Sequence, residues 1–263
     1  MNNKLFRDFV IIAGLFLIFF HLNMDPRFTP VFFMMIVLTA ILIITDSKLT
    51  LLIERDKTKR LQSLALAVGG FFAIMAASYL IGGILKMTGL QSVENILTIF
   101  AEDQPLLKNS PWFFLLSTGI LVSVVETITF AVLFEWLAIE KWKAKLDLTN
   151  LNFWLGAIFL SGIFMLLHLQ ARWIQSGFLF NLSFNSALLI TLIFMLITYV
   201  IIAIEKQLLG AVLLHVLVNS VAIIKSIPSL FTGSTAYLIW GTIIALSFIV
   251  WISTKINLRR VTG

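Results

Sequence analysis

Apolar runs long enough to cross a bilayer recur along almost all of this 263-residue chain. Inside hydrocarbon, backbone N–H and C=O groups find no water, so only helices or closed barrels satisfy them. A spanning helix takes about 20 mostly apolar residues. Candidate spans lie at 8–23, 30–46, 62–86, 111–138, 152–170, 184–204, 207–224 and 235–253. Composition fits this pattern. Only 12% of residues are charged, against roughly 25% in a soluble domain, and the mean hydropathy is +1.02. So little charge cannot cover a water-facing surface of this size. The expected fold is all-α: a polytopic transmembrane helical bundle of about eight spans.

Residues 1–263 read as a single integral membrane domain, without internal repeats or a long linker. Lys4 and Arg7 precede an apolar run from Phe9 to Phe20, as in a signal peptide. No small-residue cleavage site follows, so the run reads as a retained first helix. Asp25, Pro26 and Pro30 suit a tight hairpin between the first two spans. Residues 87–110 form a polar interruption in which 91–101 has the character of a short interfacial helix.

Basic residues set the expected orientation. With the N-terminus in the cytoplasm, the inner segments hold Lys4, Arg7, Lys48, Arg55, Lys57, Lys59, Arg60, Lys141, Lys143, Lys145, Lys206, Lys255, Arg259 and Arg260. The outer segments hold Arg27, Lys86, Lys108, Arg172 and Lys225. Cytoplasmic loops carry the excess of Lys and Arg, so both termini are expected inside. Compact loops suggest a bacterial plasma membrane. The net charge of +6 lies in short loops, where it suits topology and anionic headgroups. It forms no basic stripe interleaved with stacking aromatics, and nucleic acid is not an expected partner. The lipid bilayer is. With no cysteine, disulfides and thiolate chemistry are excluded.

Ionisable residues within a span are costly and mark functional candidates. Glu135 and Lys86 fall near span ends, where long side chains snorkel to the interface, and His21 reads as interfacial. Glu126, His168 and His215 remain, each within a span. A single intramembrane His is commonly a helix–helix hydrogen-bonding group. The set has more internal order than that. His215 and Asn219 stand at i and i+4 on one helix face, as do Phe164 and His168. Ser123, Thr127 and Thr129 give the helix of Glu126 a polar stretch. A Glu with a His can hold and deprotonate a water. A second His and an Asn amide can donate to the oxyanion formed when that water attacks a carbonyl. Two His and a Glu are also a catalytic zinc set. The absence of HExxH, and the poor affinity of Asn for zinc, favour the metal-free arrangement. No cofactor is firmly expected, and zinc on Glu126, His168 and His215 is the alternative.

These residues resemble the three motifs of the CAAX protease and bacteriocin-processing family, also called the abortive-infection or CPBP group. Its pattern is EExxxR, then FxxxH, then HxxxN or HxxxD, each on a membrane helix. Phe164-Met165-Leu166-Leu167-His168 matches the second motif and His215-Val216-Leu217-Val218-Asn219 the third. The first departs: Glu126 and Phe130 are kept, while Thr127 stands where the family has its second Glu and Ala131 where it has Arg. The resemblance covers roughly 110–225. It implies an intramembrane endopeptidase in which Glu126 and His168 activate water while His215 and Asn219 hold the oxyanion. The substrate would be a peptide or a membrane-anchored protein. The alternative is a catalytically impaired scaffold or regulator on the same fold, with a membrane-protein partner.

Overall fold

The computed structural model describes residues 8, 11–14, 29–45, 60–88, 115–175 and 182–225. Most of the first expected span, the interfacial segment 91–101 and the last span at 235–253 lie outside the described residues. Within them the chain is helical, without strands. We label the helices α1 (Thr29–Thr45), α2 (Arg60–Met87), α3 (Leu115–Lys141), α4 (Leu151–Gln175), α5 (Leu182–Glu205) and α6 (Leu209–Lys225). In α2, α3, α4 and α5 the described residues are long and apolar enough to cross a membrane, as an integral membrane protein requires. α1 and α6 are apolar but have 17 residues each, about 25 Å at 1.5 Å per residue.

Burial separates centre from rim. The apolar window of α5 is 61% buried and that of α3 is 50% buried, against 17% for α2. α6 packs on α2, α3 and α5, while α4 lies on α5 and α1 on α3. Lipid tails are as apolar as leucine, so these helices associate through close packing and interhelical hydrogen bonds. Aromatic rings lock three of them. Phe134 of α3 stacks on Tyr199 of α5 with centroids 4.6 Å apart and meets Phe153 of α4 edge-on at 5.6 Å. Gly70 lets α2 approach the core: a Cβ there would lie 3.1–3.2 Å from Ile197, Ile201 and Leu214.

The connections explain the registers. Asn150 opens α4 by accepting the Phe153 N–H through its side chain at 3.0 Å, an N-cap. In the same loop, the Asp147 carboxylate accepts the Thr149 N–H at 2.9 Å, which holds Asp147 below its ordinary pKa. Between α5 and α6 the chain reverses through Lys206, whose φ of 57° is the left-handed conformation that closes many helices. The carboxylate of Glu205 then accepts the Gly210 N–H at 3.0 Å, placing negative charge at the positive end of α6. A side chain at Gly210 would run into that carboxylate. Gln207 donates to Ser63 Oγ at 3.0 Å, tying the turn to α2.

α3 differs from the expected continuous helix. Its middle, Ser123–Phe134, is α-helical, but Leu115–Val122 and Glu135–Lys141 are π-helical. π turns are rare and occur frequently at functional sites. Glu135, expected to snorkel, is instead buried at the start of the second π turn.

The packing makes a test at adjacent glycines. Gly70→Leu should destabilise the protein by about 1–3 kcal/mol through overpacking. Gly69→Leu, at a position with no heavy atom within 4 Å of an added Cβ, should leave stability almost unchanged. Thermal unfolding of the two variants in detergent checks the difference.

Candidate functional site

α3 and α6 meet along an antiparallel ladder with four-residue steps. A Cβ at Gly119 would lie 3.2 Å from Ile223 and 3.3 Å from Ser220, so glycine sets the close approach at one end. One step along, the Asn219 amide donates to Ser123 Oγ at 2.9 Å. At the next step, Thr127 Oγ1 lies 3.0 Å from His215 Nδ1. Ala131 and Ala211 continue the register, both buried. The contacts recur because i and i+4 share a helix face.

Each hydroxyl on this ladder has one proton, and it is committed to the helix's own backbone. Ser123 donates to the Gly119 carbonyl at 2.7 Å and Thr127 to the Ser123 carbonyl at 2.8 Å. The Ser123 oxygen therefore accepts from α6. This orients the Asn219 carboxamide, with its nitrogen on Ser123.

Glu126, beside Thr127, carries the carboxylate of the site. Its Oε2 lies 3.5 Å from His215 Nε2. The His215 side chain is 4% exposed and that of Glu126 is 17% exposed, so the imidazole is sealed while the carboxyl keeps an opening. Around them the walls are aromatic. Phe194 lies 4.7 Å from the His215 ring and Phe164 lies 6.2 Å from it.

His168 joins through Phe164. Its ring is 4.3 Å from the Phe164 ring, and its Nδ1 donates to the Phe164 carbonyl at 2.9 Å. A carbonyl can only accept, so Nδ1 carries hydrogen. Phe164 also meets Phe130 edge-on at 4.9 Å, so the phenylalanines of the first two motifs touch. α4 continues to Gln175, which sets His168 about 10 Å inside its end at 1.5 Å per residue, deeper than a span ending at 170 implies.

The structure thus joins Glu126 to His215 directly, sets Asn219 one turn along the same face, and brings His168 to the ring that flanks His215. Ser123 and Thr127, read from the sequence only as a polar stretch, are the direct partners of Asn219 and His215. The signal was their i, i+4 spacing, which matches that of His215 and Asn219. Among the described residues no three His, Asp or Glu side chains are placed to hold a metal ion. Glu126 and Thr127 already face the two ring nitrogens of His215. Comparisons with protein-family models, with curated proteins and with solved structures find no match to this chain.

A double-mutant cycle on Ser123→Ala and Asn219→Leu should give a coupling of about 0.6 kcal/mol, and at most about 1.7 kcal/mol, the range for side-chain hydrogen bonds between membrane helices. Reversible unfolding in bicelles measures it. A coupling near zero would mean that the ladder bond adds nothing to stability.

Proposed function

We propose that this chain is an intramembrane endopeptidase of the CAAX/CPBP type, which hydrolyses a peptide or membrane-anchored protein with an activated water. The observation that carries this reading is the Glu126–His215 pair, 3.5 Å apart in an apolar bundle, with the Asn219 amide on the same helix face. A buried carboxyl and imidazole in contact are costly, and packing alone has no need of them. The order of the motifs along the chain adds to it.

In the mechanism, Glu126 as carboxylate removes a proton from a water held with the help of His168 Nε2. The water oxygen forms a bond to the scissile carbonyl carbon, and the carbonyl π pair moves onto oxygen. That oxyanion accepts hydrogen bonds from protonated His215 Nε2 and from the Asn219 amide. Glu126 then returns the proton to the amide nitrogen as the C–N bond breaks. Low dielectric around Phe164 and Phe194 strengthens each of these interactions. No step passes through zinc.

Around this site we read a single domain of eight spans in a bacterial plasma membrane, with both termini cytoplasmic. The count of basic residues supports the orientation. The second reading, a scaffold or regulator that binds a membrane-protein partner, is favoured by one observation: Thr127 and Ala131, the departures in the first motif, are packed at 2% exposure each.

Two tests follow. Purified protein in liposomes should cleave membrane-anchored peptide substrates, and Glu126→Gln should lower the rate on the order of 10²–10⁴-fold, with metal chelators having no effect. Equal rates for wild type and Glu126→Gln would remove the peptidase reading. Separately, the chain has no cysteine, so single cysteines can be placed on a clean background. Lys145→Cys and Gly263→Cys should react with impermeant maleimide only from the cytoplasmic side, and labelling of either from outside would overturn the topology.

A further inference from the structure

The hydrogen-bond valences of the ladder assign a role to a residue outside the proposed reacting groups. Thr127 donates its only hydroxyl proton to the Ser123 carbonyl at 2.8 Å. Its contact with His215 Nδ1 at 3.0 Å must therefore be made by an oxygen that accepts, and Nδ1 must carry the hydrogen. The neutral ring then has a bare Nε2, and that bare nitrogen faces Glu126 Oε2 at 3.5 Å. A bare nitrogen and a bare carboxylate oxygen are both acceptors and repel. A proton belongs between them.

We propose that Thr127 is a positioning residue: by accepting the Nδ1–H of His215 it reserves Nε2 for the proton shared with Glu126. The pair then has two forms with the same number of protons, carboxylic acid beside neutral imidazole and carboxylate beside imidazolium. The first suits an empty apolar site, where separated charges are poorly solvated. Transfer of the Glu126 proton to His215 Nε2 yields the second. That one transfer creates both the base that activates water and the donor that meets the oxyanion. The kinetic consequence rests on the peptidase reading, while the tautomer does not.

Among the described residues, Thr127 Oγ1 is the side-chain oxygen that meets His215 Nδ1. The aromatic neighbours of the His215 ring are Phe194 and Phe164, which offer no oxygen. Without the Thr127 hydroxyl, Nδ1–H loses the acceptor it has across the helix interface, and the ring changes to the form with hydrogen on Nε2. Serine keeps the hydroxyl at this position. Valine keeps the shape and removes it.

The experiment is ¹⁵N NMR of the full-length chain, labelled at histidine and held in lipid nanodiscs. The chain has three histidines, and His21→Gln and His168→Gln samples assign them. Wild type and Thr127→Ser should both show a protonated Nδ1 at His215, and Thr127→Val should lose that signal in favour of a bare Nδ1. A bare Nδ1 in the wild type overturns the proposal even if the valine variant does not fold, and so does a Thr127→Val spectrum identical to the wild type. Where cleavage is observed, Thr127→Val should lower kcat on the order of 10²-fold, the range for general acid–base contributions, at unchanged KM, with Thr127→Ser close to wild type. Nitrogen signals that behave as expected in a protein that cleaves nothing would sustain the positioning role and remove the peptidase reading alone.

Discussion

The site depends on the closeness of α3 and α6. Gly119 provides the approach at one end, and each following step along the ladder carries a polar side chain that needs that closeness to find a partner. A methyl group at Gly119 would press on Ile223 and Ser220 of α6, at the end of the ladder next to the bond from Asn219 to Ser123. In a membrane this interface has no hydrophobic drive of its own. Its polar groups must be satisfied by one another, because no water in the core replaces a lost partner. The small residues and the hydroxyls therefore act jointly. The former set the distance, and the latter use it.

The rest of the bundle keeps that ladder in register. Glu205 and Gly210 start α6 at a defined height, and Gln207 fastens the same turn to Ser63 of α2. On the opposite flank, Phe134, Tyr199 and Phe153 clamp α3 to α5 and α4. Phe130, Phe164 and Phe194 then extend an aromatic path from α3 through α4 and α5 to His215. The motif phenylalanines thus form the wall that excludes water around the imidazole. The same wall explains why a histidine on α4 belongs with one on α6: both rings lie against Phe164.

Much of this was legible in the sequence, for a physical reason. Helix length in a bilayer is set by hydrocarbon thickness, so α2 at Arg60–Met87 and α5 at Leu182–Glu205 fall within two residues of the expected 62–86 and 184–204. The in-span Glu126, His168 and His215 stood out because charge is rare there. What sequence did not reveal depends on neighbours. The π turns of α3 have no compositional signature. Glu205 ends α5, yet it is 1% exposed because α6 begins directly against it. Glu135 is likewise buried, at the start of a π turn. Thr127 read as one hydroxyl in a polar stretch, because its partner lies on another helix.

Thr127 and Ala131 also bear on how this chain departs from the motif it resembles. A Glu and an Arg at those two positions would put charge on the face that α3 turns toward α6. Buried charges need each other, and losing one partner alone strands the other at several kcal/mol. Here both are absent, and the face they would occupy is filled by a hydroxyl 3.0 Å from His215 Nδ1 and a methyl in line with Ala211 of α6. A carboxylate at position 127 would set a second acidic group beside His215, whereas the hydroxyl leaves Glu126 as the one carboxyl that contacts it among the described residues. On that logic, restoring Glu at 127 without Arg at 131 produces an orphan charge, and only the double replacement is physically balanced.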